Sequence, residues 1–117
     1  MCIRDSFGEN LIEIGDFFET SLKVGTVLEA ENVPKSKKLL KLKVSLGVND
    51  TRQIVAGIRE SYSAESLVET QVCVVANLKP TKLMGIMSEG MLLAAKDEDG
   101  LSLIRPEKPK KAGTLIG

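Results

Sequence analysis

The chain contains no histidine and no tryptophan, only two cysteines, and aromatic residues make up just 3% of it. Each shortage removes a class of chemistry. Without histidine there is no Ser-His-Asp or Cys-His nucleophile system. A histidine-bearing zinc site is excluded as well, and Cys2 and Cys73 are too few for a four-cysteine one. A Gly-x-x-x-x-Gly-Lys-Ser/Thr phosphate loop is also missing. No apolar run approaches the ~20 residues that cross a bilayer, and no charged-then-apolar leader marks a secretory signal. Paired carboxylates are the one remaining route to catalysis, and only Glu89 falls in a segment that looks like a site. The expectation is a chain without catalytic, metal or cofactor residues and without a membrane segment. Cys73, inside a valine-rich run, reads as a small core residue in a reducing, cytoplasmic setting.

What is present is an ordinary globular balance, 43% hydrophobic and 27% charged over 117 residues, enough for one domain. The formal net charge is zero, which lacks the usual footprint of a nucleic-acid binder. The distribution is less even. Residues 1–31 hold seven acids against Arg4 and Lys23, whereas residues 33–47 hold Lys35, Lys37, Lys38, Lys41 and Lys43 and no acid. Segregated charge makes one face attractive to a polyanion at zero total charge. A solvated lysine face accounts for the same pattern.

The elements follow from periodicity and turn residues. Residues 1–13 read as a poorly ordered leader, of which residues 1–6 show no periodicity. Residues 14–20 read as a short helical turn carrying Phe17 and Phe18. Residues 21–33 read as a long strand interrupted by Gly25, a residue that often marks a bulge or bend. From Leu39 to Gly47, Leu40, Leu42, Val44 and Leu46 alternate with Lys41, Lys43 and Ser45, placing the aliphatics on one face and both lysines on the other. Turn chemistry at residues 47–50 leads into a hairpin partner over residues 52–56. Ser63 is the expected N-cap of a short helix through Leu67. Residues 72–76 and 91–95 read as core strands, and residues 101–104 as the second arm of a hairpin after the acidic turn at 97–100. Five or six strands with one short helix between the third and fourth is the element order of an OB-fold, a five-stranded Greek-key barrel, here with small terminal extensions. The pattern alone also admits a lipocalin-like or SH3-like barrel.

The segment from Asn77 to Met91 stands out. It reads as a long loop between two core strands, and such loops are functional or disordered; Leu78, Leu83, Met84, Ile86 and Met87 argue against disorder. Lys79 and Lys82 supply point charges suited to phosphate. Asn77 and Ser88 supply hydrogen-bonding groups suited to phosphate or a ribose 2′-hydroxyl. Gly85 and Gly90 allow backbone N–H groups close to an anion. Each has a plainer reading too: Asn77 as a turn cap, Ser88 bonded within its own turn, Met84, Met87 and Met91 as core or interface fillers. Phe7, Phe17, Phe18 and Tyr62 all fall outside the expected barrel strands, so base stacking of the single-strand-coating kind is not expected.

Three segments together, residues 22–31, 33–44 and 75–91, resemble the tRNA-binding domain appended to the C-terminus of bacterial methionyl-tRNA synthetases, which also occurs freestanding. The resemblance covers residues 14–117. It implies an OB-fold, recognition of folded tRNA by shape and phosphate contacts, and homodimerisation beside the barrel. In its appended form the resemblance implies a synthetase catalytic body in the same chain; the class I synthetase signatures are absent from these residues, and whether a catalytic body precedes residue 1 is left open by the sequence. By motif match the RNA-binding positions are Lys38, Lys41, Lys43, Asn77, Lys79, Lys82, Ser88 and Met91. The chain departs from the family pattern at Thr81, where a basic residue is frequent, and at Lys37, where an acid is common. A protein-interaction or dimerisation module, or a freestanding tRNA-binding chaperone-like protein, is the alternative.

Overall fold

The computed structural model describes residues 11–117. Most of the expected leader, residues 1–10, lies outside the described residues. The elements are α1 (Ile14–Phe17), β1 (Leu22–Asn32), β2 (Leu40–Ser45), β3 (Thr51–Ala56), α2 (Ala64–Leu67), β4 (Gln71–Val75), β5 (Thr81–Leu83), β6 (Ile86–Ser88), β7 (Met91–Leu92), β8 (Ala94–Asp97), β9 (Gly100–Leu103) and β10 (Leu115–Ile116). The main sheet runs β3-β2-β1-β4-β7, all antiparallel, with β10 added beside the start of β1. This is a nearly closed five-stranded barrel of the OB type. Among the described residues no helix is long and apolar enough to cross a membrane.

The long first strand makes the curvature possible. Its first half pairs with β4, from Leu22 opposite Val75 to Thr26 opposite Gln71, and its second half pairs with β2. The irregularity falls between Val27 and Glu29, leaving Leu28 unpaired and 45% exposed. An extra residue of this kind sharpens the twist and bends the strand around the barrel. Gly25 is therefore not the bend. It is a packing requirement: a Cβ there would lie 2.5 Å from Val44 Cγ1 and 3.1 Å from Val74 Cγ2.

The alternation in β2 holds in full. Leu40, Leu42, Val44 and Leu46 are 0%, 1%, 0% and 4% exposed, and they join Val27, Ile54, Val72, Val74 and Leu92 in one core. Helix α2 plugs one end with Ala64 and Leu67; Ser63 caps it by accepting the Ser66 N–H at 3.3 Å. Tyr62 packs against this core and its hydroxyl accepts the Leu103 N–H at 3.0 Å. Cys73 is buried, and burial raises its thiol pKa, so it stays a neutral small side chain.

Two segments differ from the sequence reading. The stretch 77–90 is not an irregular loop: β5 and β6 form a hairpin, Leu83 opposite Ile86, around Met84 and Gly85. Both turn residues have positive φ, 54° and 79°, the handedness that matches a two-residue hairpin to twisted strands. The expected strand over 91–95 divides at Leu93. Its N–H donates to Cys73 and its carbonyl accepts from Ile104, at 3.1 and 2.9 Å, so β7 stays with the barrel while β8 leaves to pair with β9.

Candidate nucleic-acid interface

The outer face of β1–β3 carries the lysines that the alternation places there. Cross-strand register sets Glu31 opposite Lys41, Glu29 opposite Lys43, and Gln53 opposite Lys43 on the other side. Lys41 Nζ lies 2.6 Å from Glu31 Oε1. A shallow groove of about 160 Å³ runs between these side chains and is floored by Ala30 and Leu42. The strand face is thus of mixed sign. Among the described residues only two ion pairs form, Lys41–Glu31 and Arg52–Asp50, so Lys38, Lys43, Lys79 and Lys82 are unpaired there, and all four are exposed.

The β5–β6 hairpin is tied to this face by β3. Gln53 Nε2 donates to the Met87 carbonyl at 2.7 Å, and the Glu89 N–H donates to the Gln53 carbonyl at 2.7 Å. The Gln53 N–H in turn donates to Glu89 Oε1 at 3.0 Å. Lys82 sits opposite Met87. A continuous row therefore leads from Lys43 through Gln53 and Met87 to Lys82. Arg52 completes the closure: its Nη1 donates to the carbonyls of Ala76, at 2.7 Å, and Glu89, at 3.3 Å, while Nε donates to Asp50 Oδ1. A guanidinium suits this place because its rigid fork satisfies several acceptors at once.

Two expected contact residues are engaged inside the chain. Ser88 is 6% exposed; its hydroxyl accepts the Val55 N–H at 3.0 Å and donates to the Gly90 carbonyl at 3.1 Å. It stitches β3 to the segment after β6 where no ladder continues. Asn77 accepts the Ser21 N–H on Oδ1 at 2.9 Å and donates from Nδ2 to the Glu19 carbonyl at 2.6 Å, which fastens the segment after α1 to the end of β4. Met91 is 47% exposed at the start of β7, and Met84 and Met87 are also exposed. Lys38 stands apart, in the turn between β1 and β2. The structure thus gathers Lys41, Lys43, Lys82 and the Met87 edge, and gives Asn77 and Ser88 architectural bonds. Arg52 and Gln53 were not legible as site-building residues, and Glu89 was legible only as the one carboxylate of its segment, because the bonds that join them span 24 to 37 positions. Among the described residues no cluster of three or more carboxylate or cysteine side chains is placed to hold a metal ion.

A family described as "Putative tRNA binding domain" matches residues 22–115. A methionine–tRNA ligase of Helicobacter pylori is 58% identical over 108 residues, which is 92% of this chain and 16% of the relative. One from Methanocaldococcus jannaschii is 52% identical over 106 residues, 90% of this chain and again 16% of the relative. The chain thus spans about one-sixth of the length of these curated relatives. Among solved structures, a MetRS-related protein from Pyrococcus horikoshii superposes with a TM-score of 0.85 at 38% identity, covering 92% of this chain and 99% of that one. The chaperone CsaA of Bacillus anthracis superposes with a TM-score of 0.82 at 28% identity over 92% and 99% of the two chains. With barrel, closure and lysine-bearing hairpin all inside the matched span, the chain belongs to the tRNA-binding domain family.

Proposed function

We propose that this domain binds the body of folded tRNA through its phosphates, as a non-catalytic module of a cytoplasmic methionine–tRNA ligase whose affinity for tRNA it raises. The reading is carried by the family match, which takes in the whole barrel from Leu22 to Leu115. The exposed cations Lys38, Lys43, Lys79 and Lys82, with Lys41 beside Glu31, supply the contacts. Asn77 and Ser88 act by holding the lysine-bearing segments in register, and Met91 adds apolar contact at the rim. Lysine suits non-specific backbone recognition because it presents a point charge without a fixed fork geometry. RNA recognised by shape needs such contacts rather than base edges.

A freestanding tRNA-binding protein fits the same geometry, since solved neighbours of this size superpose end to end. Dimerisation is the companion proposal. Leu11, Ile12, Ile14, Phe18 and Leu115 are 59% to 74% exposed. Phe18, Leu22, Leu115 and Ile116 line one groove of about 410 Å³ between the segment that leads into β1 and β10. A self-complementary two-fold contact buries such a surplus on both copies at once. The binding test is fluorescence anisotropy of labelled tRNA against duplex DNA of equal charge; equal affinity for the two removes the reading. Equilibrium sedimentation tests the dimer, and a monomer at high micromolar concentration removes it.

A further inference from the structure

The turn joining β1 to β2 is built more firmly than a solvated lysine loop requires. Val33 is 3% exposed and anchors its entry. The Ser36 N–H donates to the Val33 carbonyl at 3.0 Å, and the Ser36 hydroxyl accepts the N–H groups of Lys38 and Leu39 at 3.1 and 3.2 Å. A second segment, distant in sequence, holds the turn from beneath. The Arg59 N–H donates to the Lys38 carbonyl at 3.1 Å, and Arg59 Nη1 donates to the Ser36 carbonyl. Arg59 is itself fixed, because neighbouring Ile58 is 4% exposed in the core and its carbonyl accepts from Ser61 and Tyr62.

The charges on this frame differ from those on the strands in what they face. Lys35, Lys37 and Lys38 are all exposed, and among the described residues none has a carboxylate partner. On the adjoining sheet, by contrast, Lys41 is paired with Glu31 and Lys43 faces Glu29. The turn therefore carries three exposed lysines without a carboxylate partner, next to strands whose lysines face glutamates. A loop already held in its binding shape loses less conformational entropy when a ligand docks.

We infer that the turn from Val33 to Leu39 is a pre-shaped phosphate-contact site that presents Lys35, Lys37 and Lys38 to the RNA backbone, with Arg59 as the positioning residue that holds it. This rests on the tRNA reading above and gives its electrostatic centre a place. Arg59 acts through the backbone of the turn, so its loss releases the loop without removing a phosphate contact. The same lysines then neutralise the same phosphates after a larger ordering cost.

The test measures anisotropy of labelled tRNA with the 117-residue chain between 50 and 200 mM salt. Lys35→Ala and Lys37→Ala should each weaken binding and make the log-affinity against log-salt slope shallower by up to about one unit. Arg59→Ala should weaken binding about five- to thirty-fold, the effect of re-ordering roughly one backbone residue, with the slope unchanged. Ser36→Ala carries no charge change, and should also weaken binding at constant slope; it decides the matter if circular dichroism shows that Arg59→Ala fails to fold. Unaltered slopes in both lysine variants overturn the site. Affinities within twofold of the parent for both Arg59→Ala and Ser36→Ala overturn the positioning role. So does a slope lowered by about one in Arg59→Ala, which makes Arg59 a phosphate contact itself. A parent chain that binds no tRNA removes the tRNA reading, and this inference with it.

Discussion

Replacing Glu31 by glutamine should tighten tRNA binding, a gain obtained by deleting an interaction. Glu31 Oε1 lies 2.6 Å from Lys41 Nζ, with the two side chains 63% and 36% exposed. An ion pair this wet contributes about 0–1 kcal/mol to stability, so its loss leaves the fold intact. Its influence on a docked phosphate is of the same order and opposite in sense. A phosphate seated on the Lys41 ammonium lies roughly 6 Å from the Glu31 carboxylate, a repulsion of about 0.7 kcal/mol at the dielectric of water. Salt with a Debye length of about 8 Å removes around half of that at physiological strength. Glu31→Gln should therefore raise affinity about threefold at low salt and less than twofold at 0.15 M salt. The freed Lys41 should also make the log-affinity against log-salt slope steeper by up to about one unit. Anisotropy titrations at four salt concentrations resolve both effects. Unchanged or weaker binding at every salt would mean that RNA does not lie across the β1–β2 face.

Four further substitutions test the architecture beneath the interface. Leu42→Ala removes a core side chain that is 1% exposed and should destabilise the domain by about 2–5 kcal/mol in urea denaturation; a loss below 1 kcal/mol would place Leu42 outside the core. Ser88→Ala leaves the buried Val55 N–H without its acceptor and should cost about 1–3 kcal/mol of stability while leaving the salt slope of tRNA binding unchanged; an altered slope with unaltered stability would reverse the role given to this hydroxyl. Gly25→Ala places a methyl 2.5 Å from Val44 Cγ1 and should lower stability by about 1–3 kcal/mol, the range for overpacking, whereas Gly85→Ala at the open hairpin turn meets no neighbour and carries only the strain of a positive φ.

What was legible in the sequence was whatever one buried face wrote as a period. Strand β2 is the clearest case: one slipped position would have exposed Leu40, Leu42, Val44 and Leu46 together, so the alternation leaves one register. The β5–β6 hairpin left no such record. Thr81, Lys82 and Leu83 are all exposed, so β5 buries neither of its faces, and the turn residues Met84-Gly85 are not the Asn-Gly or Asp-Gly pair that announces a two-residue hairpin. Leu93 was equally silent, because its break depends on carbonyl and N–H partners at Cys73 and Ile104. Asn77 and Ser88 invited a ligand-binding reading for a sound reason: small polar groups in an apolar loop need partners. Their partners turned out to be backbone groups of Ser21, Glu19, Val55 and Gly90, three of them more than thirty positions away in the chain.

The charge pattern shows how topology can invert a correct sequence observation. Residues 1–31 are acidic and residues 33–47 are basic, which along the chain is a separation of charge. An antiparallel hairpin folds the end of the first segment onto the start of the second. Glu31 then meets Lys41, and Glu29 meets Lys43, as cross-strand neighbours. Opposite charges so placed attract weakly and cancel each other's field at a distance. Separation in sequence has become pairing in space, and the more regular the two strands, the more complete the cancellation. The turn escapes it, since a residue in a turn has no cross-strand neighbour; Lys35, Lys37 and Lys38 keep their field for that reason. The β5–β6 hairpin escapes it differently, with Lys82 set opposite the uncharged Met87. A polyanion approaching this barrel therefore meets exposed lysines at a turn and at a hairpin, next to strands whose lysines face glutamates. Two such regions set a distance between phosphates, and a distance is a feature of folded RNA rather than of base sequence.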